Sequence, residues 1–281
     1  MNTPALRLPD VIAVGPQRTG TTWLHHVLAG HVGLPAVKET DFFWKNYSKG
    51  LDWYVAYFEK CRLDRPIVEV DPNYFGFPEA CERISYHIPH CKIICSVRDP
   101  VERAYSHYRL LYRDGWTRST FAESVIAIQI IREPSRYAFH LKNWLARFGK
   151  DRVAVCIYDD LDENPQSYLD RICEFIKIPR IDVHSTAVGD KRINVAKHRP
   201  PNQWIAQNAR KARVWMQLHN WHRMIRRLER IGFWSYCFEG GRDFGPMDAA
   251  TERRLREYFS PEVEALEELI QRDLSSWKRP R

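Results

Sequence analysis

Residues 11–28 read VIAVGPQRTGTTWLHHVL. The apolar run up to Gly15 predicts a buried strand, and the pattern from Thr21 predicts a helix, Thr21–His31. Gly15 and Gly20, with four residues between them, allow a tight path in which amide N–H groups turn inward. The helix start adds partial positive charge, so the segment is built to hold a phosphate-like anion. The triphosphatase form of such a loop carries Lys directly after the second Gly. Here Thr21 takes that slot, and the loop's long cation is Arg18.

Working outward, strands and helices alternate. Strands are expected at Leu34–Val37, in PIVEVDPNYF (66–75), at Lys92–Val97 and at Arg152–Tyr158. Helices are expected at Asp52–Lys60, Glu79–His87, after Pro100, at Phe121–Ile131, Phe139–Phe148 and Pro165–Lys177. Such alternation implies right-handed crossovers, hence an α/β fold with a central, mainly parallel sheet flanked by helices. The 281 residues suit one domain, 1–281. Its last part, 200–281, is expected to be a helical closing or lid region: a basic, Trp-rich stretch over Gln203–Ile231, then two short helices. In parallel sheets ligands bind beyond the carboxyl ends of the strands. The polar motifs follow Gly15, Val37, Val70 and Val97, where that rule requires them.

The net charge of +8 fits an anionic ligand or surface without choosing between them. Seven scattered cysteines read as reduced core thiols of a cytoplasmic protein. Neither a secretory signal nor a spanning run of 18 apolar residues is expected. His87, His90, Cys91 and Cys95 resemble a zinc set only loosely, and Cys91–Cys95 reads better as buried strand.

A second motif, RDPVERAYS (98–106), places Arg98 at a strand end and Ser106 about two turns into the next helix. The two could converge on another phosphate. With RTGTTWL (18–24), it resembles the PAPS-dependent sulfotransferases, where PAPS is 3′-phosphoadenosine 5′-phosphosulfate. In that family the first motif holds the 5′-phosphosulfate and the second the 3′-phosphate. The likeness continues through Ser135–Pro165 and to the closing DLSSW. It implies a P-loop-like phosphosulfate-binding loop and donor contacts from Arg18, Thr19, Gly20, Thr21, Thr22, Trp23, Arg98, Ser106 and Tyr137. It also implies contacts from a late basic loop, GDKRINVAKHRP (189–200), with Lys197 and Arg199 as candidates. Transfer would need no metal and would release PAP. Arg18 departs from the commoner Lys and acts as a fixed charge.

VKETDFFW (37–44) resembles the Lys-Glu-x-x-Phe-Phe stretch of carbohydrate-type members, whose Glu is taken as the base. The expected catalytic set is therefore Glu39, Lys38 and Arg18, with His25, His26 and His107 as rival bases. EVDPNYF (69–75) resembles a Glu-Lys-x-Pro-x-Tyr-Phe segment, but Val70 replaces its Lys. The implied reaction moves a sulfuryl group from PAPS to a hydroxyl of a glycan, lipid or other small molecule. Trp204, Trp215 and Trp221 leave contact with a membrane or lipid-linked acceptor open. The rivals are a nucleotide kinase or triphosphatase, which would need Mg²⁺, and a non-catalytic basic module binding nucleic acid. No nucleic-acid motif is visible.

Overall fold

A computed structural model describes residues 7–189, 196–219 and 221–280. Along the chain run β1 (Val11–Ala13), α1 (Thr21–Leu28), α2 (Leu51–Val55), β2 (Val68–Val70), α3 (Pro78–His87), β3 (Lys92–Val97), α4 (Pro100–Arg113), α5 (Phe121–Ala127), α6 (Gln129–Arg132) and α7 (Tyr137–Phe148). Then come β4 (Val153–Ile157), α8 (Tyr158–Glu163), α9 (Pro165–Ile176), α10 (Gln203–Leu218), α11 (His222–Arg230), α12 (Phe233–Phe238) and α13 (Ala249–Ile270). By its contacts the chain gathers into two compact units. The first comprises 1–103, 133–193 and 259–279, and the second 104–132, 194–258 and 280–281.

The first unit holds the sheet, in the order β2-β1-β3-β4 with every pairing parallel. Its strands are mainly apolar because both faces are covered, with the buried Glu69 of β2 an exception. Ile12, Val14, Ile93 and Cys95 point to one side, among α3, α7 and the end of α13. Val11, Ala13 and Ile94 point to the other, among α1 and α9. The chain leaves β1 for β2 on one side, and β3 lies on the other. That makes the β1/β3 crevice the topological switch point, where a ligand is expected.

The second unit is helical. Ala206, Ala209, Trp234, Cys237 and Phe238 form its small core. The capping box at Thr120, whose hydroxyl accepts from Glu123 N–H while the Glu123 carboxylate accepts from Thr120 N–H, fixes the start of α5.

Several elements differ from the sequence reading. No strand forms at Leu34–Val37: Gly33 makes one parallel bridge to Ile67, and Ala36 N–H bonds to the Tyr57 carbonyl. Pro35, lacking an N–H, cannot serve a ladder there. The helix expected over Phe121–Ile131 breaks at Ile128, which takes extended geometry. The closing segment is one 22-residue helix, α13, running through Pro261. Its buried stripe Leu255, Phe259, Val263 and Leu266 continues at helical spacing past the proline. That stripe outweighs one lost backbone bond. Cys91 and Cys95 are core residues, and burial pushes the Cys91 thiol up to about 12.

Candidate active site

The loop after β1 is shaped by contact with β3. A Cβ on Gly15 would stand 2.5 Å from the Ser96 N and 2.6 Å from its carbonyl oxygen, so only glycine lets the two backbones pass. The chain then turns through left-handed conformations at Arg18 (φ 77°) and Gly20 (φ 91°). A side chain at Gly20 would be strained and would press on Leu161. The Thr19 hydroxyl, fully buried, bonds to the Pro16 carbonyl at 2.6 Å and so braces the loop from within. The α1 helix starts at Thr21, and the N–H groups of its first turn have no partner inside the helix.

Trp23 is buried. Its indole N–H donates to the Gly189 carbonyl at 2.9 Å, and its ring meets Tyr168 edge-on. Tyr137, expected among the donor contacts, is a core residue: 2 % exposed, with its ring near those of Phe75 and Trp277. It opens α7 on the helix face turned to the sheet, so its ring belongs to the core while its hydroxyl lies near Arg98, Arg103 and Ser135.

Arg98 comes off the end of β3 into the switch-point crevice. Its Nη1 donates to the Arg18 carbonyl at 3.4 Å, and its guanidinium lies 4.6 Å from the centre of the Tyr158 ring. Glu102 stands 3.8 Å away. Arg103, which the sequence reading left unassigned, is fully buried. Its Nε donates to Ser135 Oγ at 2.6 Å and its Nη1 to the Gln17 carbonyl at 3.3 Å. Burial pushes this guanidinium down to about 10.

The Lys38–Glu39 pair reaches the same loop. Lys38 Nζ lies 2.7 Å from Glu39 Oε1 and donates to Thr22 Oγ1 at 3.1 Å. Glu39 is about one-third exposed. Phe42 and Phe43 turn into the core and pack on Tyr54. The second Glu39 oxygen lies 3.4 Å from Asn73 Nδ2. Asn73 also donates to Asp41 Oδ1 at 2.7 Å and accepts from the Gln17 side chain. Gln17 and Asn73 were invisible to motif reading, because Asn73 fills a variable position of EVDPNYF.

Beneath this layer lie two buried carboxylates. Glu69 accepts from Thr40, Tyr54 and Tyr74 hydroxyls at 2.5, 2.6 and 3.1 Å. Burial pushes its pKa up to about 7, against the downward pull of those bonds. Asp71 accepts from the backbone N–H groups of Asp41 (2.7 Å) and Asn73 (3.1 Å), and burial raises it as well.

Of the rival bases, His25 is pushed down to about 4 by burial and by the Lys38 and His26 charges, so it binds protons poorly. His26 is exposed on α1, and His107 is buried on α4. In the second unit Ser106 is buried on α4. Arg199, exposed, lies over Tyr112 and Phe244, and Lys197 is exposed beside the bridge between His198 and Asp243. The preceding part of the basic loop, 190–195, lies outside the described residues.

Loop, switch point and paired motifs define an enzyme that handles a phosphate-bearing donor. The sulfotransferase domain matches residues 8–227, and the chain belongs to that family. It is 26 % identical over 309 residues to mouse bifunctional heparan sulfate N-deacetylase/N-sulfotransferase 4, covering 97 % of this chain and 31 % of the relative. It is 30 % identical over 197 residues to human bifunctional heparan sulfate N-deacetylase/N-sulfotransferase 3, covering 61 % and 22 %. The chain thus spans a third or less of these relatives' length. The crystal structure of a sulfotransferase from Alicyclobacillus acidocaldarius superposes with a TM-score of 0.70 at 22 % identity, covering 97 % of this chain and all of that one. Family membership sets aside the kinase and nucleic-acid readings.

Proposed function

We propose that the chain, acting over 1–281 as one catalytic domain, transfers a sulfuryl group from PAPS to an acceptor hydroxyl, with Glu39 as base. One observation carries this reading: Lys38 bonds both to Glu39 and to Thr22, so the carboxylate stands at the edge of the phosphosulfate loop. Glu39 removes the hydroxyl proton, the oxygen attacks sulfur, and the bond from sulfur to the bridging oxygen breaks. The electron pair leaves on the phosphate of PAP. Arg18, Lys38 and the first-turn N–H groups of α1 oppose the charge that develops there. Arg98 holds the 3′-phosphate. Ser106, Lys197 and Arg199 keep the same expected ligand from the motif alone.

The heparan sulfate relatives support a glycan acceptor. Their N-sulfotransferase names favour a second reading, in which the acceptor is an amine of such a glycan. A panel of hydroxyl and amine acceptors with labelled PAPS separates the two. Positioned acid–base catalysis contributes about 10²–10⁴-fold, so Glu39→Gln lowers kcat on the true acceptor by that factor while PAP affinity holds. A kcat near the parent value, with chemistry limiting, overturns Glu39 as base. Turnover is expected to persist in excess EDTA.

In the second unit Trp215 stacks on His219 and meets Trp221 edge-on, and Arg223, Arg226, Arg227 and Arg230 are exposed on α11. This supports contact with an anionic membrane or lipid-linked acceptor, tested by co-sedimentation with anionic against neutral vesicles. All seven cysteines are free, which supports a cytoplasmic protein, tested by cell fractionation.

A further inference from the structure

We infer that Asn73 is a positioning residue that aims the free oxygen of Glu39 and ties that aim to the donor loop through Gln17. The inference rests on the reading of Glu39 as base. The two Glu39 oxygens are held differently. Oε1 is committed to Lys38 at 2.7 Å. Among the described residues Oε2 meets only the longer 3.4 Å contact from Asn73 Nδ2, so it keeps lone-pair capacity to take a proton.

The two partners of Glu39 both lead back to the loop. Lys38 bonds to Thr22, and Asn73 accepts from the Gln17 side chain. The result is a ring: Gln17, Asn73, Glu39, Lys38, Thr22, closed by the loop backbone from 17 to 22. A carboxylate gripped through both oxygens cannot rotate about its last torsion without breaking one arm.

The Asn73 arm stands on rigid supports. Asp71, fully buried, accepts from the Asn73 N–H at 3.1 Å with one oxygen and from the Asp41 N–H at 2.7 Å with the other. Asp41, held in a left-handed turn (φ 53°), takes the stronger bond from the same Asn73 amide, at 2.7 Å. On the loop side the Gln17 carbonyl is held by buried Arg103. The amide of Asn73 is oriented unambiguously: only its NH₂ can serve two carboxylates, and only its oxygen can accept from the Gln17 NH₂. A supporting group fixed this well is what a base needs to stay within a fraction of an ångström of its productive position.

The experiment compares kcat, acceptor KM, PAP affinity and melting temperature for the parent, Glu39→Gln, Asn73→Ala, Asn73→Asp, Gln17→Ala and the Gln17→Ala/Asn73→Ala double variant. Asn73→Ala is expected to lower kcat tenfold to a hundredfold, with acceptor KM and PAP affinity within about threefold of the parent. Asn73→Asp keeps the shape and the Gln17 bond but replaces the donor with a charge that repels Glu39 and Asp41, so its kcat falls as far or further. A group needed only for packing would lower the melting temperature of Asn73→Ala and leave its kcat near the parent. Because Gln17 acts through Asn73, the double variant is no slower than Asn73→Ala alone. Should Asn73→Ala melt early, Gln17→Ala carries the same comparison. If Glu39→Gln is slow while both Asn73 variants turn over within twofold of the parent, Asn73 is overturned and the base stands. A fully additive double variant overturns the link to the loop. If Glu39→Gln turns over normally, the base reading and this inference fall together.

Discussion

Arg98 touches the Arg18 carbonyl and the Tyr158 ring, so it is already oriented in the crevice where β1 and β3 part. Hydrogen bonds to a charged group are worth about 1.5–3 kcal/mol each, so Arg98→Ala should weaken PAP binding roughly tenfold to a hundredfold. Calorimetry checks this, and unchanged affinity would remove Arg98 from the donor site. Glu69 makes a different demand. Its folded pKa, about 7, lies above the ordinary carboxylate value of 4.5. The folded state therefore binds more protons than the unfolded chain between those values, and stability falls as pH rises from about 4.5 to about 7. Glu69→Gln should flatten that slope. Urea unfolding of parent and variant at pH 5 and pH 8 reads the difference, and equal slopes would contradict the argument.

At the scale of elements, the start of α4 depends on Arg103. Removing a fully buried guanidinium leaves the Ser135 hydroxyl and Gln17 carbonyl without their donor and opens a void. Arg103→Ala should therefore cost about 3 kcal/mol or more, read as a lower denaturant midpoint. Thr120→Ala, which removes the capping box of α5, should cost only about 1 kcal/mol. Much of this level was legible beforehand. Lys92–Val97 is a strand with the expected bounds because its apolar run is buried on both faces, and Pro100 opens α4 as an N-terminal proline should. The Arg18–Leu24 and Arg98–Ser106 motifs pointed to the loop and the switch point. The burial of the Tyr137 ring was not legible because a motif does not say which face of a helix a ring takes. Asn73 and Gln17 were missed because their role comes from a meeting 56 residues apart. Arg103 lay in plain view inside its motif, but burial, which decides its role, is a property of the fold.

For the molecule as a whole, the two sheet faces divide the labour. The face carrying α1 and α9 includes Trp23 and supports the loop, and the opposite face holds the larger aromatic core with α3 and α7. A net charge of +8 favours encounter with polyanions. If the acceptor is a sulfated or carboxylated glycan, its KM should rise steeply between low and physiological salt, while KM for a neutral acceptor should hold nearly constant. Steady-state kinetics with both acceptor types across an ionic-strength series checks the difference.

The bond from the Trp23 indole to the Gly189 carbonyl has an optical consequence. This ring is buried, adjoins Thr22 in sequence and packs edge-on against Tyr168. Its emission depends on the local field of that carbonyl and on quenching by its neighbours, so it reports the state of the loop without any attached dye. Subtracting the spectrum of Trp23→Phe from that of the parent isolates its light from the other nine tryptophans. Titrating PAP against that difference spectrum should give a saturable change with the same midpoint as calorimetry, turning the first helix into a built-in gauge of donor occupancy.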